Sequence, residues 1–232
     1  MNNIAIIPAR SGSKGLKNKN IKEMCGKPMM AYSIEAALNS NMFDRVVVST
    51  DSEEYASIAR TYGAEVPFLR SDLLSGDGVG SWDVVKDVLN KIYTIEKQIY
   101  DTVTLLQPTS PLRMSSDIVA GYNLMREKNA NAVIAVCEME HSPLWASVLR
   151  KDNNMKGFVS AKYLHMPRQQ LEKFYRINGA LYILTMDSLK DVERLYDNKC
   201  YAYIMERENS VDIDEEVDFL IAEYYMKKRI NA

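Results

Sequence analysis

Short apolar runs alternate along this chain with stretches in which apolar residues recur every three or four positions. Ile4 to Pro8, Val46 to Ser49, Thr102 to Leu106 and Ala132 to Val136 are brief, rich in β-branched residues and bounded by polar ones. Such runs predict buried strands of a mostly parallel sheet. Between them, Met30, Ile34, Ala37 and Leu38 share one helix face, as do Val84, Val85, Val88, Leu89 and Ile92. The clearest stripe is the last, Val217, Leu220, Ile221, Tyr224 and Tyr225, spaced as on an amphipathic helix. Strand–helix alternation of this kind predicts an α/β fold, a doubly wound sheet with helices on both faces.

The alternation breaks near His141. From Ser142 to about Tyr175 polar residues crowd in, as in Lys151-Asp152-Asn153-Asn154, and Gly179 to Leu184 then returns to strand character. So long a connection without structure is unusual inside a domain. Residues 1–232 are therefore read as one domain, with 142–175 a small inserted subdomain, a hairpin arm, that packs on a second subunit. Leu144, Trp145, Phe158 and Leu164 are the apolar groups such an arm would bury there.

Composition narrows the class. Twenty-nine Lys and Arg face 31 Asp and Glu, which excludes nucleic-acid binding by bulk charge. With 47% hydrophobic residues and no long apolar run, the chain reads as globular, cytosolic and without a membrane span or signal peptide. Cys25, Cys137 and Cys200 are scattered, matching neither a zinc site nor a disulfide framework.

Chemistry concentrates after the first strand. The segment Ala9-Arg10-Ser11-Gly12-Ser13-Lys14-Gly15-Leu16-Lys17-Asn18-Lys19-Asn20 carries four basic groups and two glycines. Ligands of open α/β sheets bind beyond the carboxyl ends of strands, and basic groups with exposed amides suit a polyphosphate. It is neither a Walker loop nor a dinucleotide fingerprint; a solvated basic loop is the plainer reading, and the position directly after the first strand favours a site. A second constellation, Asp212-Ile213-Asp214-Glu215, precedes the last helix. Carboxylates two apart in extended chain can face one side and share a Mg²⁺ ion with phosphates. Asp212 and Glu215 are also spaced as a helix N-cap and its capping-box partner. Gln107 to Arg113 forms a rigid turn at the same sheet edge; Ser81 suits a helix cap, and Arg70 a surface charge.

Together these segments resemble the bacterial sialic-acid-type cytidylyltransferases. The resemblance rests on Ile6 to Gly15, Lys19-Asn20, Phe43 to Asp51, Leu105 to Arg113, Pro167 to Leu171, Arg176 to Ala180 and Asp212 to Asp214. It implies a Rossmann-like nucleotidyltransferase fold with a dimerisation insert. The implied reaction takes CTP and a nine-carbon 2-keto sugar acid of the N-acylneuraminate type to the CMP-sugar and pyrophosphate. Legionaminate and pseudaminate are alternative acids, and a non-catalytic nucleotide-binding regulator is an alternative of another class. The resemblance assigns Arg10, Asn20, Arg70 and Ser81 to the nucleotide, and Lys14 and Lys19 to the triphosphate. Gln107, Arg168 and Arg176 fall to the sugar, and Asp212 and Asp214 to Mg²⁺. Asp77-Gly78-Val79-Gly80-Ser81 departs from the Asp-Thr-Ala-Ser-Ser of many relatives but keeps the serine.

Overall fold

A computed structural model describes residues 2–13, 15–76, 78–197 and 199–231. Strand β1 (Asn3–Pro8) opens the chain. A two-stranded ribbon, β2 (Glu23–Met24) and β3 (Lys27–Pro28), leads to α1 (Met29–Ser40), β4 (Arg45–Ser49) and α2 (Glu53–Thr61). Then come α3 (Ser81–Glu96), β5 (Thr102–Leu105), α4 (Ser115–Lys128), β6 (Ala132–Glu138) and β7 (Tyr175–Thr185). The chain closes with α5 (Met186–Lys190), β8 (Cys200–Ile204) and α6 (Glu216–Ile230).

Six strands form one sheet in the order β4-β1-β5-β7-β6-β8, with β7 antiparallel to both neighbours and the other pairs parallel. The predicted α/β architecture is therefore present. Strand periodicity explains its two-sided core. Ala5 and Ile7 of β1 pack with α1, α2 and α4, whereas Ile4 and Ile6 pack with α3 and α5. The α3 stripe from Val84 to Ile92 lies buried, as its spacing predicts. A third cluster joins Leu16, Met24, Met29 and Ile213 to Phe219, Ala222 and Met226 of α6.

Three local expectations are corrected. Helix α6 forms, but four of its five predicted stripe residues, Val217, Leu220, Ile221 and Tyr224, are exposed, and only Tyr225 packs against the inner cluster. The smaller set Phe219, Ala222 and Met226 wins the interior because it meets the loop core of Leu16 and Ile213. The cap of α6 is not Asp212 with Glu215: Glu215 is the N-cap, and its N–H donates to Asp218 Oδ2 at 2.9 Å. Likewise Gly80 caps α3, and Ser81 is its first residue, freeing that hydroxyl for other use.

The insert also differs from a hairpin arm. The β6–β7 ladder ends at Glu138 opposite Tyr175, with Met139 N–H donating to Phe174 O at 2.8 Å. Beyond it the chain makes only single turns, among them 3₁₀ turns at Pro143–Trp145 and Arg168–Gln170. Side chains of Asp152 and Asn154 accept from nearby backbone N–H groups, which favours turns over a ladder. The segment is an excursion from a hairpin tip, and Val148 on it is 91% exposed.

Candidate active site

The carboxyl ends of β1, β4 and β5 open on a cleft of about 510 Å³. Its lining brings together Arg10, Lys19, Asn20, Arg70, Ser81, Gln107 and Asp214, from segments far apart in the chain. Ala9 N–H still donates to Ser49 O at 2.9 Å, and the chain then turns across the sheet edge. Ser11 N–H donates to Asp51 Oδ1 at 2.8 Å and its hydroxyl to Asp51 Oδ2 at 3.1 Å, so the end of β4 holds the loop. Asn20 is buried and donates through Nδ2 to Arg10 O at 3.0 Å, while its Oδ1 has no partner among the described residues. Lys14 lies outside the described residues.

Lys19 ties this loop to the carboxylate segment. Its Nζ donates to Ile213 O and Asp214 Oδ1, both at 2.9 Å. Gly15 makes the approach possible: a Cβ there would stand 2.5 Å from the Asp214 carbonyl oxygen. Between the two acids, Ile213 is fully buried in the third core cluster. Burial of such a side chain contributes about 1.5–3 kcal/mol and anchors the segment. Period two then turns Asp212 and Asp214 away from that core. Asp214 lines the cleft, whereas Asp212 lines an adjoining cavity of about 640 Å³ together with Arg176.

The charges are tuned by burial. Arg70 is no surface charge: it is buried, donates from Nε to Ser49 Oγ at 3.1 Å, and reaches Ser49 O through Nη2. Desolvation pushes its pKa down, and the neighbouring Arg10 adds to this. Burial likewise raises the Asp212 carboxyl above its ordinary value, and the Asp214 charge raises it further. Thr109, Lys19 and Arg176 oppose that rise. Asp212 Oδ1 is buried with no hydrogen-bond partner among the described residues, so this oxygen is available to a cation. Among the described residues no cluster of three or more His, Cys, Asp and Glu offers an all-protein cage. Mg²⁺ does not need one, being commonly held by one or two carboxylates with phosphates and waters. Asp212 and Asp214 fit that donor set.

Two sugar candidates stand apart from the cleft. Arg176 donates to Ser210 O at 3.1 Å beside Asp212. Arg168 is exposed, donates to Glu140 O, and lies in a separate depression with Ser142 and Gln169. Sequence reasoning missed the residues that organise Gln107. Gly179 has φ 76°, and a Cβ there would strike Gln107 Oε1. Asn178, buried in an irregularity of the β6–β7 ladder, donates to Ser210 Oγ at 2.9 Å and so links β7 to the carboxylate segment. Arg113, fully buried, donates to Ala180 O at 2.7 Å; desolvation lowers its pKa to about 10. The only signals were their places within the Gln107–Arg113 and Arg176–Ala180 segments.

Comparison with known proteins finds relatives over nearly the whole chain. The chain is 38% identical over 228 residues to an N-acylneuraminate cytidylyltransferase of Escherichia coli, covering 97% of this chain and 52% of that protein. It thus spans about half the length of that relative. It is 34% identical to a pseudaminic acid cytidylyltransferase of Campylobacter jejuni, covering 98% of this chain and 97% of the other. A solved structure of CMP:2-keto-3-deoxy-manno-octonic acid synthetase complexed with CTP superposes with TM-score 0.72 at 15% identity, over 99% of this chain and 100% of that one. That likeness shows the fold. The family model described as Cytidylyltransferase matches residues 4–226, a span that takes in both the basic loop and the carboxylate segment. With that match and the two relatives in hand, the chain belongs to the cytidylyltransferase family.

Proposed function

We propose that the protein transfers CMP from CTP to the anomeric hydroxyl of a nine-carbon 2-keto sugar acid of the N-acylneuraminate type, releasing pyrophosphate. One observation carries this reading: a single cleft gathers Arg10, Lys19 and the Asp214 carboxylate, with Lys19 Nζ 2.9 Å from Asp214 Oδ1. Cationic groups suit a triphosphate, and a carboxylate beside them suits the cation that accompanies one. The unpartnered Asn20 Oδ1 is an acceptor for a nucleotide donor, since a buried acceptor left unpaired costs about 1–3 kcal/mol.

In this mechanism Arg10, Lys14 and Lys19 neutralise the leaving pyrophosphate. Arg70 and Ser81 line the nucleotide end, and Gln107, fixed by Gly179, orients the sugar. Arg168 and Arg176 supply guanidinium groups that can grip the sugar carboxylate with paired hydrogen bonds. Positioning and charge neutralisation provide most of the acceleration of an in-line displacement. Bound by Asp212 and Asp214, Mg²⁺ would supply stabilisation of the charge that grows on the phosphate oxygens.

The protein acts as a homodimer through residues 142–175, whose apolar groups have no core in their own chain. Arg168 then serves the neighbouring subunit's site. Incubation with CTP, Mg²⁺ and a panel of nonulosonic acids, read by pyrophosphate release, tests the reaction. Fastest turnover with N-acetylneuraminate is expected; faster turnover with legionaminate or pseudaminate would reassign the acid. No turnover with any acid would favour a nucleotide-binding regulator.

A further inference from the structure

The β5–β7 ladder stops short of the cleft. Its last pair is Leu105 with Tyr182, and the same register carried two residues further would set Gln107 opposite Ala180. A side chain stands there instead. Arg113 Nη1 donates to Ala180 O at 2.7 Å and to Gln107 O at 3.4 Å. Facing carbonyls need donors between them, and the Ala180 N–H is committed to Asn178 Oδ1 at 3.1 Å. The guanidinium thus replaces the ladder bonds at the point where β5 ends and the cleft begins.

Filling space does not explain a guanidinium here. Arg113 is buried, and its Nε and Nη2 have no hydrogen-bond partner among the described residues. Asp117, the carboxylate whose charge acts on it, already accepts from Met114 N–H at 2.8 Å and Tyr203 OH at 3.0 Å. A buried charge so poorly paired is costly, and an apolar side chain would fill the volume without that cost. What the guanidinium supplies is direction. The Gln107 carbonyl that it holds also accepts from Ser110 N–H at 3.2 Å and Ser33 Oγ at 3.4 Å. The Gln107 side chain lies against Gly179, where a Cβ would strike Oε1, and Ala180 is the next residue along. One nitrogen therefore sets the main chain of Gln107 against the strand that shapes its side chain.

We propose that Arg113 is a positioning residue for the reaction: it takes the place of the next β5–β7 pair and aims Gln107 into the cleft. This rests on the reading of Gln107 as the residue that orients the sugar acid, and it adds the group that holds Gln107 there. Nucleotide binding is left alone, because Arg10, Asn20 and Arg70 are held by other contacts.

Arg113→Lys and Arg113→Met test it, each alone and combined with Gln107→Ala. Lysine keeps the charge but loses the planar fork, and methionine keeps only bulk. Rates are read with CTP, Mg²⁺ and N-acetylneuraminate, or whichever acid of the panel turns over fastest. For the acid, kcat/KM should fall about tenfold in Arg113→Lys and about a hundredfold in Arg113→Met, with KM for CTP within about twofold. In the Gln107→Ala background, Arg113→Lys should add less than about twofold, since nothing is left to aim. Losses that multiply, or a KM for CTP that rises with that for the acid, would make Arg113 a general support of the fold and overturn the proposal. A folded Arg113→Lys protein with wild-type kcat/KM overturns it too. Should Arg113→Met fail to fold, Arg113→Lys and its double variant carry the test. Crystal structures of the wild type and Arg113→Lys read the same claim without turnover: Gln107 Oε1 should leave Gly179 in the variant, and an unmoved Gln107 overturns the proposal. A wild type that turns over no acid strikes the catalytic reading alone, and the crystal structures then decide on Arg113.

Discussion

Residues 9–22 and residues 142–175 are both polar segments that leave the sheet at the carboxyl end of a strand, the first after β1 and the second after β6. The first is caught by distant parts of its own chain. Ser11 meets Asp51, Lys19 meets Ile213 and Asp214, and Leu16 enters a core with α6. The second makes turns within itself, and Arg168 reaches back only to Glu140. Polarity alone does not decide whether a loop is ordered into a site. The decision lies in whether the fold presents partners for its donors and a core for its few apolar groups. The basic loop finds its partners within its own chain, whereas the arm turns mainly on itself.

The largest effect should come from the two acids of the carboxylate segment. Asp212→Asn and Asp214→Asn are each expected to lower Mg²⁺-dependent turnover about a hundredfold or more. Because Glu215 is the cap of α6, both variants should keep the wild-type circular dichroism spectrum. Near-normal rates at low Mg²⁺ would remove the metal from this segment.

On the arm, Arg168→Lys should cut turnover at least about tenfold, a loss of only about 1.4 kcal/mol in the transition state. CTP affinity should stay within about twofold, since the nucleotide wall lies in the other region. Mixing Arg168→Ala with Asp212→Ala protein sharpens the contrast. Recovered activity requires one subunit's arm to complete the other's cleft, and no recovery would return Arg168 to its own chain.

Two glycines of the first loop separate packing from composition. A Cβ at Gly15 would press on the Asp214 carbonyl, whereas one at Gly12 would meet nothing within 4 Å. Gly15→Ala should therefore cost about 1–3 kcal/mol of stability and lower turnover several-fold. Gly12→Ala should be close to neutral. Equal effects of the two in thermal melts and steady-state rates would mean that the loop is not held as described.

The smallest effect concerns metal-free stability. Burial raises the Asp212 carboxyl above its unfolded value, so its ionisation opposes folding. Without Mg²⁺ at neutral pH, Asp212→Asn should melt at or slightly above the wild type. That advantage should fade as pH falls below the ordinary carboxylate range, where the wild-type group is protonated in both states. A clear drop in melting temperature at neutral pH would show that the buried carboxylate is paired within the chain.

Much of this was legible locally. The run from Ile4 to Pro8 fills both faces of a central strand, and the α3 stripe lies buried where its spacing puts it. The basic loop and Asp214 were readable as chemistry because strand ends and residue types mark them. Helices α2 and α4 and the edge strand β8 escaped notice, the last because Tyr201 and Ile204 are exposed and lack a clean alternation.

By itself the sequence determined the layered α/β core, the edge of the sheet that carries the cleft, and the break at residue 142, because periodicity and punctuation act over a few residues. Only the tertiary structure decided that α6 turns its larger stripe outward, that Glu215 rather than Asp212 caps it, and that Asp212 and Asp214 line different cavities. It alone buried Arg70 and left Arg168 away from the cleft. The physical reason is separation along the chain: Lys19 and Asp214 meet across 195 positions. Which face of a helix wins the interior depends on what the rest of the fold brings against it.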